Sequence, residues 1–201
     1  MWLTKPIVAV SMVILLGGCN GHFPLALERL LPQRSPKTHS PEHTPQTLQR
    51  QLATLLAGGK HLAALSLIGI EIAHGQAENH FLGQYSAALN GVLNKALHLQ
   101  HADQSRQAGA LYRAAWVNYP RSLVLRDQTL MTLTEIDASI ELCANALLEE
   151  GLQAYRRGAL EEAIDSWEAI SVFHPEHVAS QRSIATTRTQ LANLKRLNQP
   201  K

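Results

Sequence analysis

From residue 47 to the C-terminus the chain shows almost no alternation of apolar and polar residues; its apolar side chains recur at spacings of three and four. That is the period of helices with one buried face. Ala, Leu, Glu, Gln and Arg dominate the stretch, all good helix formers. The interruptions are equally telling, because Gly58-Gly59, Gly75, Pro120, Gly158 and Pro175 each stand where a helix must stop. Helices are therefore predicted near 47–56, 61–73, 77–101, 105–117, 160–173 and 176–197. A further one runs from about 122 to 142 and continues, or kinks, into a sixth that ends at Arg157-Gly158. The fold class that follows is all-α.

Residues 144–177 carry a finer pattern. Leu147, Gly151, Ala154 and Tyr155 stand on a first helix, Gly158 makes the turn, Ala163 and Trp167 stand on a second, and Pro175 closes the unit. These spacings resemble the tetratricopeptide repeat, a helix–turn–helix unit of 34 residues. Small residues belong where the two helices cross, and large ones fill the space between neighbouring hairpins. Ile170 departs from the family, which prefers Ala there. A weaker copy lies at 89–122, with Ala96, Asp103 at the turn, and Ala108, Tyr112, Ala115 and Pro120 in register. A faint third copy at 45–78 has Gly59, Ala64 and Ile68. Pro120 and Pro175 are 55 residues apart, so an extra helix separates the copies.

The resemblance implies an irregular solenoid of helical hairpins; the other all-α arrangement is a generic bundle with Ala and Gly contacts. Residues 178–197 place Ile184, Leu191 and Leu194 on one side and Arg182, Arg188, Lys195 and Arg196 elsewhere, which suits a terminal cap. In the repeat family the first helix of each unit lines a groove that holds a peptide or a partner helix. Carried over, that groove presents Asn90, Leu93, Asn94, Leu97 and His101 from the middle copy. The last copy adds Asn145, Leu148, Glu149, Leu152 and Arg156. The lysine–asparagine set that clamps a C-terminal carboxylate in some relatives is missing, since Leu93 and Leu97 occupy two of its places. The same leucines also suit packing against the inserted helix.

The N-terminus reads differently. A short start with one cation, Lys5, precedes an apolar run from 6 to 16 and then Leu16-Gly17-Gly18-Cys19. The layout is that of a secretory leader, and the run is too short for a bilayer, which needs about 20 residues. Cys19 after Leu16, Gly17 and Gly18 resembles the bacterial lipobox. The resemblance implies cleavage after residue 18 and acylation of Cys19, with the covalent lipid as membrane anchor. Stable anchoring takes more than one acyl chain, at roughly 0.8 kcal/mol per buried CH₂, and the triacylated cysteine of that family meets the need. Asn20, where an Asp commonly retains such proteins in the inner membrane, implies by the same resemblance the outer membrane. Residues 19–46 carry five of the nine prolines and read as a lipidated tether, with one short helical candidate at 25–31. Residues 47–201 are the helical domain.

Composition narrows function further. The formal charge is +2, and Lys5 leaves with the leader, so no basic field of the kind nucleic acid requires is present. With Cys19 acylated, Cys143 is a single thiol without a disulfide partner. No phosphate loop, nucleophile elbow or His-Glu-x-x-His pattern occurs. The pairs His98/His101 and His174/His177 lack nearby ligands to complete a metal site. Glu161, Glu162, Asp165 and Glu168 read as a solvated helix start, and Cys143 as an inert core thiol. The expected function is a non-enzymatic envelope scaffold holding an envelope protein or peptide segment, without metal or other cofactor. The alternative is an envelope enzyme or a metal- or ligand-binding module with its site between helices.

Overall fold

The computed structural model describes residues 45–197, and its regular structure is helical throughout. The leader, Leu16, Gly17, Gly18, Cys19 and the tether up to residue 44 lie outside the described residues. The helices are α1 (Pro45–Ala57), α2 (His61–Ala73), α3 (Leu82–His101), α4 (Ser105–Val117), α5 (Leu123–Arg126), α6 (Leu133–Arg156), α7 (Leu160–Phe173) and α8 (Val178–Leu197). None is long and apolar enough to cross a membrane.

Three hairpins, α1/α2, α3/α4 and α6/α7, form the body, with α8 laid on α7. Packing runs between neighbours in the chain: α2 on α3, α4 on α6 and α7, and α7 on α8. The three hairpin turns are alike. Gly59, Asp103 and Gly158 all have positive φ, at 66°, 56° and 80°. After each, an N–H reaches back to a carbonyl five residues earlier: Lys60 to Leu55 at 2.8 Å, Gln104 to Leu99 at 2.9 Å, Ala159 to Ala154 at 3.0 Å. This is the hydrogen-bond pattern of a Schellman ending, which satisfies helix-end carbonyls and needs a left-handed residue. Glycine meets that need at no steric cost, and Asp103 tolerates it.

The register extends into the core. Ala64, Ala108 and Ala163, each five residues past its turn, are wholly buried. Ile68, Tyr112 and Trp167 follow four residues on and are at most 1% exposed. Leu52, Ala96 and Gly151 stand sixteen residues before them, on the opposing helices. As the second-helix residue grows from Ile to Tyr to Trp, its counterpart shrinks from Leu to Ala to Gly. Close packing forces this trade, because interiors have little spare volume. The last pair shows the contact directly: a Cβ on Gly151 would lie 2.2 Å from Trp167 Nε1.

Two predicted helices need correction. The third does not begin at 77; a 3₁₀ turn, Glu78–Phe81, precedes α3. The turn serves a purpose, since the Glu78 carboxylate accepts the N–H groups of Arg121 at 3.1 Å and Ser122 at 2.8 Å. The predicted helix from 122 is broken, leaving the four-residue α5 and a separate α6. A capping box starts α6: Thr132 Oγ1 accepts Glu135 N–H at 3.3 Å, and Glu135 Oε2 accepts Thr132 N–H at 2.7 Å. The backbone hydrogen bond from Thr132 holds the Glu135 carboxyl below its ordinary pKa. Thr132→Ala is expected to lower stability by about 1 kcal/mol in chemical denaturation. A depressed carboxyl contributes stability above its unfolded pKa and loses it as pH falls through the folded one. The Thr132→Ala deficit should accordingly shrink in acid.

Candidate functional site

The predicted groove residues separate into two groups. On α3, Leu93 is fully buried and belongs to the core with Leu89 and Val92, so it presents nothing to a partner. Asn90 is engaged by the chain itself: its Nδ2 donates to the Gln128 carbonyl at 2.8 Å, and its Oδ1 accepts the Leu130 N–H at 2.7 Å. Ser86 Oγ also donates to Gln128 O, at 3.4 Å. The segment between α5 and α6 is thus pinned across the face that a groove would use. What α3 still offers is Asn94 and His101, both exposed, and the half-buried Leu97.

The α6 group fares better. Asn145, Glu149 and Arg156 are exposed, while Leu148 and Leu152 are half-buried against the core. Arg156 Nη1 lies 3.5 Å from Glu149 Oε1, an exposed pair of little energetic weight. Leu152 lines a recess of about 290 Å³ with Tyr155 and Trp167, closed on the other side by Arg182, Ser183, Thr186 and Thr187 of α8. Tyr155 stacks beside Trp167, ring centroids 6.2 Å apart, and its hydroxyl donates to Gln190 Oε1 at 2.7 Å. These contacts fix the angle between α6 and α8, and so the shape of the recess.

Ser183 and Thr186 are not singled out by the sequence pattern, and Arg182 appears there only as a polar position of a capping helix. Of the predicted apolar side, Ile184 is buried, Leu191 is half-buried and Leu194 is exposed; Ser180 and Thr187 complete the buried face of α8. Arg188 pairs with Glu168 and Lys195 with Glu161, but Arg182 has no ionic partner among the described residues. No sequence signal marks them: the buried positions Ser180, Ile184 and Thr187 keep the helical spacing, and Arg182-Ser183 fall on the remaining face.

The titratable candidates are inert or local. Burial pushes the Cys143 thiol up to about 11, so it stays protonated at neutral pH and is a poor nucleophile. Burial also raises Tyr85, to about 12, with the Glu78 charge adding to the effect; its hydroxyl donates to the Asn118 carbonyl at 2.9 Å. His174 Nε2 lies 2.6 Å from Glu141 Oε1, bridging the end of α7 to α6. His177 sits edge-on to it at 5.3 Å and is held below its ordinary pKa, first by desolvation and then by His174. His98 and His101 are exposed, and no group of three potential ligands assembles among the described residues.

No model of a known protein family, no characterised protein and no solved structure matches the chain.

Proposed function

We propose that the chain is a lipid-anchored scaffold of the bacterial envelope, whose stacked hairpins hold a segment of another envelope protein. The tetratricopeptide-like register and the lipobox at Cys19 support this reading from the sequence. The observation that carries it is the recess between α6 and α8, where half-buried Leu152 and Tyr155 meet Arg182. An apolar floor beside a cation without an ionic partner among the described residues suits an apolar side chain flanked by an acidic one or by free backbone carbonyls. The anchor on Cys19 would place the domain at the periplasmic face of the outer membrane, with residues 19–46 as the lipidated tether.

The test is capture from detergent-solubilised envelopes by the acylated protein, paired with surface variants. A partner captured by wild type should be lost with Leu152→Asp or Arg182→Glu and retained with Val172→Asp, which alters an exposed α7 residue. Equal capture by all four proteins would remove the α6–α8 recess from the proposal. Cys19→Ala should block lipid attachment and leave the leader uncut or differently cut; unchanged mobility and fractionation when lipoprotein processing is inhibited would remove the anchor.

A further inference from the structure

A cleft of about 450 Å³ opens where the start of α2 meets the middle of α3 and of α4. Its walls are apolar, formed by Leu62 of α2, Val92 of α3 and Leu111 of α4. Lys60, His61 and Lys95 stand around them, and no carboxylate among the described residues lines the cleft. Neither lysine enters an ion pair among the described residues. The His61 ring packs over Gly91 so closely that a Cβ there would lie 2.2 Å from it. Its Nδ1 is buried and has no hydrogen-bond partner among the described residues.

The shape of the cleft restricts its occupant. Two turns along α2 the passage towards α4 narrows, since a Cβ on Gly69 would lie 3.1 Å from Asn118 Oδ1. The open end at the α1–α2 turn suits a short chain better than a helix running the length of α2. Small-molecule sites share this size and this balance of apolar wall with a few polar groups. The unbalanced positive charge selects an anion.

We propose that this cleft binds a free medium-chain carboxylate, with its head group held by Lys60 and Lys95 and its alkyl chain laid over Leu62, Val92 and Leu111. The site is distinct from the α6–α8 recess and stands whether or not that recess holds a protein.

The test is calorimetric titration of the 201-residue chain carrying Cys19→Ala, with decanoate as probe. Decanol, acetate and decyltrimethylammonium serve as neutral-headed, tail-less and cationic controls. Saturable one-to-one decanoate binding is expected, with acetate and the cation silent. Decanol should bind at least about tenfold more weakly, the scale of one lost charge-assisted contact. Lys60→Ala and Lys95→Ala, both at exposed positions, should each weaken decanoate severalfold while leaving the melting curve unchanged. Leu111→Asp, which sets a carboxylate on the alkyl path, should abolish binding. The proposal is overturned if decanoate does not saturate, if decanol binds as tightly, or if the double lysine variant retains wild-type affinity.

Discussion

Trp167→Ala is expected to cost about 3–5 kcal/mol of folding stability, and on that scale to lower the melting midpoint by roughly 6–20 °C. The indole is 1% exposed, and its Nε1 donates to the Leu148 carbonyl at 3.1 Å. It fills the crossing of α6 and α7 and supports Tyr155, which in turn reaches α8 through Gln190. Truncation leaves a cavity that α6 and α7 cannot close, because Ala163 and Gly151 already bring their backbones together. Total stabilities are about 5–15 kcal/mol, so this single change consumes a large part of the margin. A midpoint within a degree of wild type would mean that the indole is not in the core.

Gly151→Ala tests the same crossing from the other helix. Alanine is favoured over glycine inside a helix by about 1 kcal/mol. Against that, the new Cβ would meet Trp167 atoms at 2.2 to 2.6 Å. The ring cannot swing aside, being buried and hydrogen-bonded one turn away, and overpacking of this kind costs about 1–3 kcal/mol. The net effect is expected to be destabilising. Gly83→Ala is the control: its Cβ would meet nothing within 4 Å, and the variant should be neutral or more stable. Combining Gly151→Ala with Trp167→Tyr recreates the Ala96/Tyr112 pair of the preceding hairpin. The double variant should lose less stability than the sum of the two single ones, as coupled neighbours do. Strict additivity in denaturant melts would contradict the compensation.

The hairpins were legible because their punctuation is chemical. Gly59 and Gly158 are demanded by left-handed turns, and Ala64, Ala108 and Ala163 by helix crossings, so spacing alone located them. The break between α5 and α6 was hidden because Leu123, Leu130 and Leu133, seven and three residues apart, keep a plausible helical spacing across it. The capping pair Thr132 and Glu135 was the available signal, and periodicity outweighed it. The groove was legible only as far as register carries. Whether an α3 side chain faces a partner depends on the path of the inserted segment, fixed by hydrogen bonds from Asn90 to residues 38 and 40 positions away. No local pattern encodes such a contact. The cleft at His61 had one trace, an isolated Gly91 within a helix, where a lone glycine signals a close neighbour.

Hydrogen exchange on wild type and Trp167→Ala tests the stacked-hairpin architecture most directly. In a stack whose units touch mainly their neighbours, damage stays near its origin. Amides of α6, α7 and α8 should exchange faster in the variant, those of α4 less so, and those of α1 and α2 should keep their protection. Uniform loss of protection across all the helices would contradict the stack and show a single cooperative bundle instead.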